Sequence, residues 1–205
     1  MAAVATLLSR KTALRAELIA RRAAQAPRLG PAAAAAIGDR LVSAFRLPKG
    51  AIVSAYWPLP GELDPRPCAL RLAAAGHKLA LPRMHGPEQP LTFHLWQPGD
   101  ALLEGGFKVM EPAPEQRAVR PTVVLAPLLG FDRQGRRLGY GKGYYDRTLR
   151  GLRQNGPVLA IGLAFAFQEV AAVPVGPADE PLDAVVTERA VHRCLPAAEA
   201  AATRG

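Results

Sequence analysis

The chain has 205 residues, 49% of them hydrophobic, which is enough for one domain with a substantial core. Its formal net charge is +9, so its surface is suited to anionic ligands. No apolar run approaches the roughly 20 residues that span a bilayer, and the first residues do not follow the order of a signal peptide. We therefore expect a single domain over residues 1–205, located in the cytoplasm, with no membrane partner.

The first 45 residues predict two helices, over 6–25 and 32–45, separated by a break at 27–31 that contains two prolines. The opening segment is rich in arginine and poor in acidic residues, as mitochondrial transit peptides are, but a structural helix is the preferred interpretation. At the end of the chain, residues 197–205 are rich in alanine and are expected to fray.

One face of the first predicted helix is basic. At 100° per residue, Lys11, Arg15 and Arg22 lie within about 40° of one another, and Leu18 lies at nearly the same angle. Periodicity alone favours a solvated basic face, whereas a phosphate site would use the same three cations.

Short β-like runs alternate with helical stretches along the rest of the chain, and this alternation predicts an α/β fold. The predicted strands are 51–56, 78–81, 91–95, 123–127, 157–162 and 182–186, the predicted helices are 64–75 and 144–152, and the predicted loops are 82–90 and 111–121.

Three alternating glycines, Gly139, Gly141 and Gly143, stand between a predicted strand and a predicted helix. Glycine tolerates positive φ, so such a loop can bring its N–H groups against phosphate oxygens, and the start of the helix adds further donors. Lys142 would add a cation. The segment matches neither the Walker A loop nor the dinucleotide motif G-x-G-x-x-G. An ordinary glycine-rich turn remains the alternative on these residues alone.

Other chemistries have weaker support. Cys68 and Cys194 form no metal-binding pattern, and the four histidines are scattered, so none is assigned to catalysis or to zinc. The positive charge raises the alternative of a nucleic-acid-binding protein. However, the arginines are spread along the chain and aromatic residues make up only 6% of it, so stacking surfaces are few.

The stretch FDRQGRRLGYGKGYYDRTL, residues 131–149, closely resembles the signature of the 5-formyltetrahydrofolate cyclo-ligase family, also called methenyltetrahydrofolate synthetases. Three other segments agree with that family in the expected order: KTALR at 11–15, the segment at 56–64 that contains YWP and GELD, and the block at 173–188. The resemblance covers residues 8–188. It departs from the family at Tyr140, where some relatives have arginine, at Ala178, where histidine is common, and at Gly130, where alanine is expected.

The resemblance implies a three-layer α/β sandwich with a mostly parallel central sheet, and an enzyme that uses ATP and Mg²⁺ to close a ring in 5-formyltetrahydrofolate, which can carry glutamate tails. It implies that Lys142 and Arg15 act in catalysis. The residues implied to bind ATP are Lys11, Arg15, Arg137, Gly139, Tyr140, Gly141, Lys142, Gly143, Tyr144 and Tyr145.

On the folate side, the resemblance implies contacts from Trp57, Glu62 and Tyr145, and it implies Asp146 and Asp183 as magnesium ligands. Each aspartate could instead be an ordinary helix-start or loop residue, and Trp57 could be a core residue. A related enzyme that acts on another folate-like molecule is the remaining alternative, and oligomeric state is not predicted.

Overall fold

The computed structural model describes residues 2–194, so the predicted fraying at 197–205 lies outside the described residues. Its main sheet is formed by β1 (Ile52–Ser54), β2 (Lys78–Arg83), β3 (Thr92–Leu95), β6 (Ala118–Val119), β7 (Val123–Ala126), β10 (Leu159–Leu163), β11 (Ala184–Val186) and β12 (Val191–Arg193). Two small hairpins lie outside it: β4 (Leu102–Glu104) with β5 (Met110–Pro112), and β8 (Gly130–Phe131) with β9 (Arg137–Leu138).

The eight strands of the main sheet follow the order β12-β11-β10-β7-β1-β2-β3-β6. The five strands from β11 to β2 are parallel. At the edges, β12 and β3 run antiparallel to these five, and β6 pairs antiparallel with β3. The strands at the centre read as continuous apolar runs, and β7 is buried at all four positions. This pattern is expected of strands that are covered on both faces.

Helices cover both faces of the sheet. The helix α1 (Ala2–Ala44) and the helix α2 (Arg66–Ala74) pack on one face, where Ile37 and Leu41 of α1 meet Val53 of β1. The helix α3 (Tyr144–Gln154) covers the other face, with Leu149 in a second core cluster. The expected three-layer α/β sandwich with a mostly parallel sheet is therefore confirmed. In the part of the chain that is described, no helix is both long and apolar enough to cross a membrane.

The sequence predicted a break at residues 27–31 in the N-terminal helical region, whereas in the structure the backbone is non-helical only at Gly30. Helical backbone runs from Ala2 to Ala44 and is interrupted at Gly30, whose φ of 34° and ψ of −131° are not helical. Pro27 lies inside the first helical part, which ends just before the kink. A proline disfavours a helix interior because it lacks an N–H and its ring is bulky. The chain nevertheless kinks at Gly30, which precedes Pro31, because only glycine adopts this backbone conformation without strain.

The expected loop at 111–121 is only partly a loop, because Met110–Pro112 and Ala118–Val119 pair as strands. These strands are two or three residues long, too short for an alternating pattern to be visible. For the same reason the sequence did not predict the hairpin of β8 and β9, which comes just before the glycine loop. Its turn carries Gly135 at φ 76°.

The strand order places a crevice at a defined edge of the sheet. The chain leaves β1 toward β2 on one side, whereas β7 and β10 lie on the other side of β1. In an open α/β sheet, ligands bind where the strand order reverses, outside the carboxyl ends of the strands. Tyr56 and Trp57 follow β1, and Pro127 follows β7, so these residues meet at that crevice.

Candidate active site

A cavity of about 580 Å³ lies at this edge of the sheet. With one exception, every residue that the sequence assigned to a site lines it. The lining includes Lys11, Arg15, Trp57, Glu62, Arg137, Gly139, Tyr140, Gly141, Lys142, Gly143, Tyr144, Tyr145 and Asp146. The exception is Asp183. Segments that are far apart in the sequence are thus brought together around one volume, which is large enough for small-molecule ligands.

The glycine loop has a conformation that side chains would disturb. Gly141 has a φ of 92° and Gly143 a φ of 68°, both in the region that disfavours other residues. A Cβ on Gly143 would lie 2.7 Å from Nη1 of Arg147. Gly143 is also the N-cap of α3, and no side chain in the described part of the chain caps that helix start. The first N–H groups of α3 are therefore available to an anion beside the loop.

Two cations of α1, Lys11 and Arg15, line the cavity beside this loop. Nε of Arg15 donates a hydrogen bond to the carbonyl oxygen of Gly139 at 2.9 Å. Nζ of Lys11 lies 2.5 Å from Oδ2 of Asp179, which also accepts the N–H of Gly176. Lys142, on the loop itself, places its Nζ 5.9 Å from the centre of the Phe107 ring. The basic face of α1 therefore points toward the glycine loop at its Lys11 and Arg15 positions.

A second ion pair lies at the floor of the loop. Nη2 of Arg137 is 3.0 Å from Oδ1 of Asp146, and Nη1 donates to the carbonyl oxygen of Glu180. Oδ1 of Asp146 also accepts the N–H of Glu180 at 3.1 Å. Since Glu180 follows Asp179 in the chain, these bonds bring the Asp146 and Asp179 carboxylates to the same part of the cavity.

The structure places Asp183 elsewhere, in contrast to the expected pairing of Asp146 with Asp183. Asp183 is exposed and lies outside the cavity lining. Its Oδ2 accepts the N–H of Ala160 at 2.7 Å and pairs with Nη2 of Arg153 at 3.2 Å, next to β10 and α3. In the block at 173–188, the carboxylate that lines the cavity is Asp179, which the resemblance did not assign to the site. Among residues 2–194, no group of three or more His, Cys, Asp or Glu side chains is placed to hold a metal.

Glu62 lies at the other end of the cavity, and its side chain is 4% exposed. Oε2 accepts the N–H of Leu59 at 2.8 Å, whereas Oε1 is buried and finds no hydrogen-bond partner among the described residues. Nη1 of Arg22 is 3.9 Å from Oε1. Burial raises the pKa of Glu62, and the Leu59 N–H and the Arg22 charge oppose that rise.

Aromatic rings form much of the wall between the two ends. Tyr56 is buried and its hydroxyl donates to the carbonyl oxygen of Leu63 at 2.9 Å. The guanidinium of Arg66 lies over Trp57, which packs against the main core as well as lining the cavity. Burial raises the pKa of Tyr145 and, to about 12, that of Tyr140, with the nearby Glu62 charge adding to both shifts. These hydroxyls are therefore neutral donors at pH 7.

The hairpin of β4 and β5 adds residues that the sequence interpretation missed. Phe107 is 59% exposed, lines the cavity mouth and has a φ of 56°, which is unusual for a residue other than glycine. Glu111 is buried against the cavity, where Oε1 accepts the N–H of Met84 at 3.2 Å. Glu111 begins the predicted loop at 111–121 and no element was predicted around Phe107, so no periodicity marked either residue.

The two cysteines are packed into the fold and lie outside the cavity lining. Cys68 is buried and Cys194 is partly buried, and both are free thiols. Burial raises the pKa of Cys68 to about 12 and that of Cys194 to about 11, so neither is a thiolate near neutral pH.

A mostly parallel sheet with helices on both faces, and a crevice that joins a glycine loop at a helix start to an aromatic wall, are typical of an α/β enzyme of small-molecule metabolism. Comparison with known proteins identifies the family. A model of the 5-formyltetrahydrofolate cyclo-ligase family matches residues 8–188, so the chain belongs to that family of enzymes.

Similar proteins carry the same name. The chain is 37% identical over 140 residues to the 5-formyltetrahydrofolate cyclo-ligase of Escherichia coli strain K12. The aligned region covers 66% of this chain and 76% of that protein. It is 30% identical over 135 residues to the Haemophilus influenzae enzyme, covering 63% and 72%. A solved structure of Aquifex aeolicus 5,10-methenyltetrahydrofolate synthetase matches 90% of this chain and 92% of its own, with 29% identity and a TM-score of 0.68.

Proposed function

We propose that this protein catalyses the ATP- and Mg²⁺-dependent cyclisation of 5-formyltetrahydrofolate to 5,10-methenyltetrahydrofolate. The observation that carries the proposal is the single cavity, whose one end has the glycine loop with its cations and whose other end has a buried carboxylate among aromatic rings. A reaction between a nucleotide and a heteroaromatic ligand needs both ends to share one volume. Membership of the cyclo-ligase family supports the same reaction.

The chemical difficulty is the formyl group, which is amide-like and whose oxygen is a poor leaving group. In the proposed reaction the formyl oxygen attacks the γ-phosphorus of ATP, the bond to the bridging oxygen breaks, and ADP leaves. The neighbouring folate nitrogen then attacks the carbon of the resulting iminium phosphate and loses its proton. That attack closes the five-membered ring, and cleavage of the carbon–oxygen bond then releases phosphate and leaves the methenyl bridge.

The nucleotide end is suited to the first step, because phosphoryl transfer depends mostly on positioning and charge neutralisation. The backbone of residues 139–143 and the start of α3 would hold the phosphate oxygens. Lys142 and Arg15 would neutralise charge that develops on the transferred group, and Lys11 and Arg137 would add to the binding of the phosphates. Tyr140 and Tyr144 would contribute loop contacts to the nucleotide.

A magnesium ion fits the carboxylates of this end. Mg²⁺ prefers oxygen ligands and is commonly held by one or two carboxylates together with substrate phosphates. Asp146 and Asp179 both line the cavity, so we propose these two as the protein ligands and leave Asp183 out. The bound ion would supply charge compensation for the phosphates. In the absence of ligands, the two carboxylates pair with Arg137 and Lys11.

The folate end would bind the pterin ring. Oε1 of Glu62 has an unused acceptor, and a pterin offers N–H donors at the edge of a flat ring. Trp57 and Tyr145 provide flat surfaces against which such a ring can pack. The proposed setting is the cytoplasm, and the folate can be polyglutamylated, because the positive net charge of the protein favours an anionic tail.

The test is an assay with purified protein, 5-formyltetrahydrofolate, ATP and magnesium, in which the absorbance of methenyltetrahydrofolate is followed. The expected result is product formation that needs all components. Omission of ATP or addition of a magnesium chelator serves as the control. A folded protein that binds ATP but forms no product from this folate would contradict the proposed reaction, and other folate-like compounds would then be screened.

A further inference from the structure

A polar cluster at the wall of the cavity, buried at Arg22 and Glu62 and exposed at Tyr140, joins three separate segments. Arg22 comes from α1, Glu62 from the loop after β1, and Tyr140 from the glycine loop. Nη2 of Arg22 donates to the Tyr140 hydroxyl at 2.5 Å, and its guanidinium carbon lies 5.5 Å from the centre of the Tyr140 ring. Nη1 of Arg22 is 3.9 Å from Oε1 of Glu62. Arg22 thus touches both ends of the proposed site without lining the cavity.

Burying the charged side chains of Arg22 and Glu62 costs free energy, because both lose contact with water. The side chains of Arg22 and Glu62 are 8% and 4% exposed. Nη1 of Arg22 and Oε1 of Glu62 are both buried and have no hydrogen-bond partner among the described residues. Two buried charges at this distance attract each other, but the full hydrogen bond that would offset their desolvation is not formed. Removal of either Arg22 or Glu62 would therefore leave the other as a buried charge without a counter-ion.

We propose that Arg22 is a positioning residue that holds Glu62 for the folate and Tyr140 for the nucleotide, so that the two halves of the site are coupled through one guanidinium. The inference rests on the proposed function, because it assigns Glu62 to the folate and the glycine loop to ATP. It adds a residue that the sequence-based assignment of binding residues did not include, although Arg22 was part of the basic face of α1.

Tyr140 fits this role better than a cation at the same place. The resemblance noted above has arginine here in some relatives. An arginine at position 140 would bring a second guanidinium beside Arg22, and like charges placed close together repel each other. With tyrosine, the hydroxyl accepts a hydrogen bond from Arg22 and the ring face contacts the cation. The departure at Tyr140 and the presence of Arg22 are therefore complementary.

The charge of Arg22 also bears on the protonation of Glu62. The groups that face Glu62 are Arg22 from α1, Tyr140 from the glycine loop, Tyr145 from α3 and Tyr56 after β1. Arg22 is the cation among these groups and opposes the effect of burial on the Glu62 carboxylate. If the ionised carboxylate binds the folate, removal of Arg22 must make folate binding more sensitive to acid.

The experiment compares Arg22→Met, Arg22→Lys and a control, Arg21→Met. Arg21 precedes Arg22 on the same helix, but its guanidinium pairs with Glu17 and the carbonyl oxygen of Phe167, away from the cavity. Steady-state kinetics are measured for each substrate between pH 5 and pH 9, together with thermal unfolding.

For Arg22→Met we expect a rise of about tenfold in KM for 5-formyltetrahydrofolate at pH 7, and an acidic limb of kcat/KM that moves up by about one pH unit. Arg22→Lys should restore most of the pH profile because it restores the charge. Arg21→Met should match the wild type. A lowered unfolding temperature in Arg22→Met with unchanged KM values and an unchanged pH limb would overturn the proposal, because a purely structural residue behaves in that way.

The coupling is tested by Tyr140→Phe, alone and together with Arg22→Met. Each single variant should raise KM for ATP by about fivefold, and the double variant should do little more, since one hydrogen bond is lost in all three. Additive effects on the ATP constant would overturn the coupling.

Failure of the proposed function gives a different result. A wild type without cyclo-ligase activity would disprove that function, and calorimetric titration of 5-formyltetrahydrofolate into wild type and Arg22→Met would then decide on Arg22 by its pH dependence. A wild type that does not bind this folate would disprove both.

Discussion

The charged side chains at the two ends of the cavity differ in their pairing and in their burial. At the nucleotide end, Lys11 pairs with Asp179 and Arg137 pairs with Asp146, and the carboxylates are 24% and 23% exposed. At the folate end, Arg22 and Glu62 are almost fully buried and stand 3.9 Å apart. The first end has paired carboxylates that are partly open to water, whereas the second end keeps two desolvated groups that are incompletely satisfied.

This difference indicates how each end would respond to its ligand. Paired, partly solvated charges can exchange partners at low cost, so phosphates and a metal can replace the existing contacts of the nucleotide end. Buried charges cannot reorganise in this way and instead select a ligand whose donors and acceptors match. Substitutions at the nucleotide end should therefore change metal and salt dependence, and those at the folate end should change pH dependence and substrate preference.

The largest expected effect is at the proposed metal ligands. Asp146→Asn and Asp179→Asn should each lower kcat/KM by about 100-fold and weaken the dependence on magnesium, because each removes a charge that orients the transferred phosphoryl group. Asp183→Asn should have a small effect, since this side chain binds Arg153 and the Ala160 N–H away from the cavity. Magnesium titrations of the three variants provide the measurement. If Asp183→Asn weakened the magnesium dependence and Asp179→Asn did not, Asp183 would be the second magnesium ligand in place of Asp179.

A smaller effect, confined to the folate, is expected for Glu62→Gln. The amide cannot be ionised and should raise KM for 5-formyltetrahydrofolate by about tenfold with little change for ATP. Burial raises the pKa of Glu62, so in the wild type folate-dependent kcat/KM should fall as the pH falls through that raised pKa. Glu62→Gln should lose this acidic limb. Kinetics at several pH values would contradict the assignment if the variant kept the limb or showed a defect for ATP alone.

Lys142→Ala tests the nucleotide end with a partly exposed cation. KM for ATP should rise by about fivefold and the salt dependence of ATP binding should weaken, because one charge near the phosphates is lost. Thermal stability should not change, since a single loop lysine contributes little to it. Unchanged kinetics with ATP would remove Lys142 from the site.

The smallest effect concerns stability. Gly143→Ala should destabilise the protein by about 1–2 kcal/mol, because alanine is strained at a φ of 68° and its Cβ would meet Arg147. Gly151→Ala, in the same helix, has open space around its Cβ and should stabilise the protein slightly, because alanine is the better helix former. Chemical denaturation of the two variants measures both signs. Equal effects would mean that the loop geometry does not constrain position 143.

The sequence predicted an α/β fold and the glycine loop, because the alternation of β-like and helical runs and the alternating glycines are local signals, whereas the three-layer arrangement was implied by the family resemblance. The choice between Asp179 and Asp183 could not be made in this way. Both lie in one short motif, and only the pairing of β11 with its neighbours determines which carboxylate faces the cavity. The contact of Arg22 with Glu62 and Tyr140 was similarly hidden, because the three residues are joined only by tertiary packing.

The link between Lys11 and Asp179 spans 168 positions of the chain. During synthesis the N-terminal residues are made first, so Lys11 and Arg15 must wait for most of the remaining chain before their partners exist. Contacts at such sequence separation form late, since closing a long loop costs entropy before any contact repays it. A nascent chain in which residue 179 has not yet been made therefore lacks this ion pair, and we expect this part of the proposed nucleotide site to form late in folding.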